Sequence, residues 1–175
     1  MADKDSLKER IHAGELVVGV SAPLDSTKSQ LEAILSKDTY GFLTVDSQHR
    51  PFNEEKLVAF CSTAQDLGMP VQFRIKNTRH AYLIGNFLDL GPMAIEVPLV
   101  EDESIVDEAL SAFYYPQVGH RSWSGAARHG IGGRDNRLEY ADWWNDYGVL
   151  WMQIESVEAV TKARTLAKEG VDCLS

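Results

Sequence analysis

The chain has 175 residues, of which 44% are hydrophobic, enough for one domain with a sizeable core. Its formal net charge of −9 argues against nucleic acid or an anionic membrane surface as a partner. No apolar stretch is long enough to cross a bilayer, no signal-peptide core is seen, and two distant cysteines are expected to be free thiols, so we predict a cytoplasmic protein.

In chain order, the sequence first predicts a short amphipathic helix that stops at Gly14. Strands and helices then alternate, with strands at 17–23, 40–46, 70–76, 94–100, 149–155 and 171–175 and helices at 27–38, 53–68, 78–91, 102–115 and 156–170. The long gap before the fifth strand predicts an inserted loop and helix region at 116–148. Within it, the glycine-containing stretch 125–135 follows no strand and is interpreted as a mobile loop.

This alternation predicts an α/β fold with a parallel sheet, since the strands are continuous apolar runs of the kind that are buried on both faces. Two closures fit the pattern: an open doubly wound sheet and a (β/α)₈ barrel. The turn after the first strand has no glycine, and neither a G-x-G-x-x-G nor a Walker A motif occurs. A dinucleotide or nucleoside triphosphate site is therefore not indicated.

Polar residues cluster at the carboxyl ends of the predicted strands, where both folds carry their chemistry. They are Asp46 and His49 after the second strand, Arg74 at the end of the third, and Gln153 and Glu155 at the end of the fifth. Each of them alone has a simpler explanation, such as an ordinary loop histidine or an Arg74–Glu155 ion pair. Their joint occurrence at three strand ends favours a functional site.

Glu96 also interrupts an apolar strand. Because its neighbours Ile95 and Val97 are apolar, we expect its side chain to point outward, against a helix.

Six short segments, in order, resemble the HpcH/HpaI aldolase family of metal-dependent pyruvate aldolases. The segment TVDSQH is similar to the family's D-x-E-H segment, and VQFRIK is similar to its strand-three arginine segment. The other similar segments are KERIHAGELVVG, LDLGPMAIEVPLV, YYPQVGHRSWSGAARHG and WMQIES. The resemblance implies a single (β/α)₈ TIM barrel over residues 1–175, incomplete at its C-terminus because the chain ends within the sixth strand.

The resemblance also implies roles for individual residues. His49 would be the acid/base, oriented by Asp46, and Arg74 would hold the pyruvate oxygen and stabilise the enolate. Gln153 and Arg121 would bind substrate. Glu155 would be a ligand of Mg²⁺, Mn²⁺ or Co²⁺.

The implied reaction is the reversible aldol cleavage of a 4-hydroxy-2-oxo acid to pyruvate and an aldehyde. A homo-oligomer, by family resemblance a hexamer, is the implied assembly. A related lyase acting on another C–C or C–O bond is a further possibility within the superfamily.

Three departures from the family pattern bear on these expectations. The family's glutamate before the histidine is Gln48 here, and the small residue after the histidine is Arg50, which we interpret as solvated rather than as a contact to a substrate carboxylate. His120 and Trp123 alter the arginine stretch. The second metal carboxylate of the family follows the sixth strand, and Asp172 at that strand's beginning is not expected to replace it.

With Glu155 as the only carboxylate left to bind an ion, we expect weak metal binding and little aldolase activity from these residues. A non-catalytic or degenerate barrel subunit is therefore kept as an alternative. Strands one and six are expected to be open edges.

Overall fold

The computed structural model describes residues 6–123, 129–132, 134 and 136–175, and its strands and helices alternate as the sequence predicts. Most of the predicted mobile loop 125–135 lies outside these residues. The strands are β1 Gly19–Ser21, β2 Phe42–Asp46, β3 Val71–Arg74, β4 Ala94–Val97, β5 Val149–Met152 and β6 Cys173–Leu174. The helices are α1 Leu7–His12, α2 Lys28–Leu35, α3 Glu54–Asp66, a 3₁₀ helix Thr78–Leu83 that continues into α4 Ile84–Leu88, α5 Glu103–Phe113, α6 Arg137–Tyr147 and α7 Val157–Leu166.

All six strands form one parallel sheet in the order β1-β2-β3-β4-β5-β6, so the order in space follows the order in the chain. β1 and β6 are the edge strands of this sheet, as predicted. The six strands form a curled half-barrel, which agrees with the predicted barrel that is incomplete after its sixth strand; a full eight-stranded barrel is not seen among the described residues.

The curl brings side chains from distant strands into contact. Phe42 on β2 and Trp151 on β5 pack edge to face with ring centroids 5.3 Å apart, although two strands lie between them. In a flat sheet three strand spacings would separate them by about 14 Å. The sheet therefore has a concave face on which the side chains of β2 to β5 converge.

The opposite, convex face packs against the helices and forms the core. The side chains that point from this face toward the helices are fully buried, among them Leu43, Phe73, Ile95 and Leu150. Several helix ends follow the predicted signals: Asn53 caps α3 by accepting the backbone N–H of Lys56 at 2.9 Å, and Gly68 stops α3 with φ +68°. Cys61 and Cys173 are free thiols. None of the helices in the described residues is long and apolar enough to span a membrane.

A buried carboxylate ties α1 to the amino end of the sheet. The Asp172 side chain, only 2% exposed, pairs with Lys8 at 3.3 Å and with His12 at 2.8 Å. It also accepts the backbone N–H of Leu150 at 2.8 Å, at the start of β5. As expected, Asp172 lies at the opposite end of the sheet from the strand ends that carry Asp46 and Arg74.

Asp172→Ala is therefore expected to lower the free energy of unfolding by about 3 kcal/mol, because it leaves a largely buried lysine without its carboxylate. Urea unfolding followed by circular dichroism measures the loss. Glu158→Ala, which breaks an exposed pair with Lys162, is the control and should change stability little. Equal losses of unfolding free energy in the two variants would contradict the conclusion that Asp172 holds α1 against the sheet.

Candidate active site

The strongest polar contact at the carboxyl end of the sheet joins Asp46 of β2 to Arg74 of β3. Arg74 donates from Nε to Oδ1 at 2.9 Å and from Nη2 to Oδ2 at 2.6 Å, so the pair is bidentate. The sheet register dictates this contact, since Asp46 and Arg74 are direct neighbours across the β2–β3 ladder and face the same side. Each side chain is 20% exposed, which leaves one edge of the guanidinium open to solvent.

The pair keeps both groups ionised. Partial burial opposes the charge of Asp46, but hydrogen bonds from Arg74 and from the backbone of Gln48 outweigh it and lower the pKa of the carboxyl. The bond to Asp46 raises the pKa of Arg74, and the carboxylates of Glu96 and Glu155 add to that rise. Arg74 is thus a fixed cation within reach of three acidic side chains.

The same carboxylate pins the loop that carries His49. Asp46 Oδ1 accepts the backbone N–H of Gln48 at 2.8 Å and, more weakly, that of His49 at 3.5 Å. Ser47, which is buried, donates its hydroxyl to the carbonyl of Arg74 at 2.7 Å. The loop between β2 and α3 is therefore held against β3 through two adjacent residues, Asp46 and Ser47.

The structure does not show the expected contact between Asp46 and the imidazole of His49. Both carboxylate oxygens of Asp46 are bonded to Arg74, and His49 meets Asp46 only through its backbone N–H. The His49 side chain is exposed. Its ring makes no hydrogen bond within the described part of the chain.

The residues after β5 approach the pair from the other side. Gln153 Oε1 accepts a long hydrogen bond of 3.4 Å from Arg74 Nη1, across the β4 strand. Glu155 is exposed and accepts the backbone N–H of Leu99 at 3.1 Å. Leu99 has φ +51°, a left-handed conformation that is unfavourable for leucine and that directs its N–H toward Glu155.

The outward orientation predicted for Glu96 is wrong. Glu96 is the ladder neighbour of Arg74 and lies on the concave face, where it accepts hydrogen bonds from Gln72 and Ser175, each at 2.8 Å. Apolar neighbours were a misleading guide because the alternate positions of β4 pack against helices on the convex face. Gln72 and Arg74 lie two residues apart on the neighbouring strand β3, and this spacing was the signal for a polar concave face.

Arg121 is not brought to these strand ends. It is 3% exposed, pairs with Asp89 at 2.9 Å, and lies over the rings of Tyr115 and Trp144 at 4.7 and 4.6 Å. Its position between helices reflects its place in the 116–148 region. A contact between Arg121 and a substrate bound near Arg74 has no support in this arrangement.

The donors of the described residues do not complete a metal site. No group of three or more His, Cys, Asp or Glu side chains within them is arranged to hold an ion. Asp46 and the amide oxygen of Gln153 accept hydrogen bonds from Arg74, Glu96 accepts them from Gln72 and Ser175, and Glu155 accepts the backbone N–H of Leu99. These side chains alone therefore do not complete the coordination shell of a divalent ion.

A cavity of about 370 Å³ opens on the concave face at these residues. Its polar wall contains Asp46, Arg50, Gln72, Arg74 and Glu96, and its apolar wall contains Phe42 and Trp151. A larger cavity of about 680 Å³ lies at the amino ends of β2 and β3, next to α1. We assign the candidate site to the smaller cavity because the charged groups of three strands converge in it.

Asp46→Asn should destabilise the chain in a pH-dependent manner. A folded-state pKa below the ordinary value means that ionised Asp46 stabilises the fold above about pH 4 and that this contribution is lost as the pH falls through the lowered pKa. We expect the variant to be about 1–2 kcal/mol less stable at neutral pH, with a smaller difference below about pH 4.

Urea unfolding across this range provides the measurement. Asp66→Asn, at an exposed carboxylate on α3, is the matched control and should change little at either pH. A deficit that stays constant down to the acid end of the range would contradict the ion pair.

Comparison with known proteins shows that the chain is similar to aldolases. No family model matches the chain. The chain is 30% identical over 172 residues to 2-keto-3-deoxy-L-rhamnonate aldolase of Escherichia coli K12, and the match covers 94% of this chain and 61% of that protein. The same identity and coverage hold for the Shigella sonnei enzyme. The chain therefore spans about three fifths of the length of the curated relatives it matches.

Solved structures give the same result for the fold. The HpcH/HpaI aldolase from Desulfitobacterium hafniense DCB-2 superposes with a TM-score of 0.82 at 25% identity, covering 97% of this chain and 64% of that one. The citrate synthase SbnG superposes with a TM-score of 0.80 at 26% identity and the same two coverages. The chain thus resembles aldolases in sequence and HpcH/HpaI aldolases in fold.

Proposed function

We propose that the chain carries the carbon–carbon lyase site of an aldolase that cleaves a 4-hydroxy-2-oxo acid reversibly to pyruvate and an aldehyde. The observation that carries this proposal is the Arg74 guanidinium, held by both oxygens of Asp46 in a cavity at the carboxyl ends of the strands. The kinship with aldolases supports the reaction class. A 2-oxo acid is the substrate that a fixed guanidinium beside a polar amide is suited to bind.

Arg74 would bind the oxo acid and stabilise the enolate. Three of the five N–H groups of the guanidinium are used, two by Asp46 and one by Gln153, so two remain for substrate oxygens. When a proton leaves the methyl group of pyruvate, or when the C3–C4 bond of the longer acid breaks, negative charge develops on the C2 oxygen. A cation already positioned there stabilises that charge without reorganising.

His49 is the proposed proton carrier. Its exposed imidazole lies on the loop that Asp46 and Ser47 hold against β3, one residue before Arg50, which lines the cavity. In cleavage it would accept the proton of the C4 hydroxyl, and afterwards it would return a proton to C3 of the enolate. Asp46 would act on His49 through the backbone of the loop and not through the ring.

The remaining contacts would orient the substrate. Gln153 would donate its amide N–H to the carboxylate while its oxygen accepts from Arg74. Glu155 is the proposed ligand of a divalent ion such as Mg²⁺, Mn²⁺ or Co²⁺, which would supply Lewis acidity when bound. A homo-oligomer remains the proposed assembly.

A second candidate is a non-catalytic barrel that binds a 2-oxo acid without turning it over. The observation that favours it is the donor set, because the two carboxylates that line the cavity are already engaged, Asp46 by Arg74 and Glu96 by Gln72 and Ser175, and the described residues contain no group of three arranged to hold an ion. Under this proposal pyruvate binds in the Arg74 cavity but its methyl protons stay in place.

Proton exchange distinguishes the two candidates. Pyruvate is incubated with the 175-residue chain in D₂O, with and without added Mg²⁺ or Mn²⁺, and loss of its methyl signal is followed by NMR. We expect exchange above the buffer rate, at least about 100-fold slower in His49→Gln. Arg74→Gln should weaken both pyruvate binding and exchange.

His120→Gln, at an exposed imidazole bonded to Ser111, is the matched control and should exchange at the parent rate. Exchange that is indifferent to His49→Gln would refute the proposed base. Pyruvate binding without exchange under any condition would favour the non-catalytic candidate.

A further inference from the structure

The cavity that contains Arg74, called the first cavity here, shares Arg50 with another cavity of about 300 Å³, called the second cavity. Its walls come from the loop after β1, at Pro23 and Asp25, and from the loop after β2, at Phe52. Lys56 of the first turn of α3 completes the wall. Arg50 is the one residue that lines both this cavity and the cavity that contains Arg74. A ligand too long for the first cavity would therefore pass Arg50 on its way into the second.

Arg50 differs from Arg74 at the site, and from Arg121 between the helices, in having no ion-pair partner among the described residues. Arg74 is paired with Asp46, and Arg121 is paired with Asp89. Arg50 is exposed, and within the described residues it makes neither an ion pair nor a hydrogen bond. The acids of the first cavity are engaged elsewhere, Asp46 by Arg74 and Glu96 by Gln72 and Ser175. Its guanidinium is thus free to bind an anion.

The charges of the second cavity limit what that anion can be. Arg50 and Lys56 supply two cations, and Asp25 supplies one opposing carboxylate. A single negative charge is balanced there, whereas a dianionic phosphate would meet stronger repulsion from Asp25. A carboxylate also matches the planar fork of a guanidinium. The apolar surface of Phe52 and Pro23 suits a short methylene chain leading to that carboxylate.

We infer that Arg50 selects substrates whose far end carries a second carboxylate. The 2-oxo acid end is bound at Arg74, the chain passes from the first cavity to the second, and the terminal carboxylate pairs with Arg50. This inference rests on the proposed function, because Arg74 must hold the oxo acid end. It goes beyond that function by assigning Arg50, which the sequence alone indicated to be solvated, as a specificity-determining residue at a position where the resembled family has a small side chain.

Two probes of equal length test the assignment. 2-Oxoglutarate carries a terminal carboxylate where 2-oxopentanoate carries a methyl group, and calorimetry measures the dissociation constant of each. We expect the parent chain to bind 2-oxoglutarate about tenfold more tightly. In Arg50→Gln that preference should vanish, because the terminal carboxylate loses its cation.

Arg164→Gln is the matched control, since it removes the same charge from an exposed site on α7 and should preserve the preference. Thermal melts confirm that each variant is folded. Equal affinities for the two probes in the parent chain, with pyruvate binding intact, would overturn the inference and leave the proposed function standing. A preference that survives Arg50→Gln but is lost in Lys56→Gln would also overturn it. Failure of the parent chain to bind any 2-oxo acid would refute the proposed function itself.

Discussion

The bidentate ion pair between Asp46 and Arg74 is the contact on which the candidate site depends. It uses both carboxylate oxygens, it fixes the guanidinium at one edge of the cavity, and through Asp46 Oδ1 it also holds the loop that carries His49. An unpaired arginine at a strand end would sample many rotamers, so its charge would not be held at one position. The pair instead leaves two N–H groups in a fixed direction, which is the property that an enolate-stabilising group needs.

The pair exists because the sheet is parallel, in register and curled. Register places Asp46 beside Arg74 and Arg74 beside Glu96, while the curl brings Gln153 within reach of Arg74 across β4. Apolar residues on the convex face make this arrangement stable by packing against the helices, and Asp172 holds α1 over the opposite end. Stability and chemistry are thus separated along the strands, with the structural ion pair at the amino ends and the candidate site at the carboxyl ends.

Much of this arrangement was predictable from the sequence because parallel strands have simple rules. Continuous apolar runs indicated the strands, and polar residues at their carboxyl ends indicated Asp46, Arg74, Gln153 and Glu155. The orientation of Glu96 was not predictable from its neighbours, because the apolar residues of β4 pack against the helices on the convex face and leave Glu96 on the concave face, beside the cavity.

Contacts that depend on the path of loops and helices could also not be predicted from the sequence. The sequence placed Asp46 and His49 three residues apart, which suggested a carboxylate that orients an imidazole. The structure shows that the cross-strand arginine competes successfully for that carboxylate, since the planar guanidinium makes two charge-assisted hydrogen bonds to it where an imidazole would make one. Arg121 similarly matched a motif by spacing, yet helix packing placed it against Tyr115 and Trp144.

A crystal structure of the chain with oxalate, a planar mimic of the pyruvate enolate, tests the central claim most directly. The account predicts oxalate in the concave cavity, with its oxygens within hydrogen-bond distance of the two free N–H groups of Arg74 while both bonds from Arg74 to Asp46 persist. Oxalate bound away from Arg74, or an Arg74 side chain that leaves Asp46 to reach it, would contradict the account.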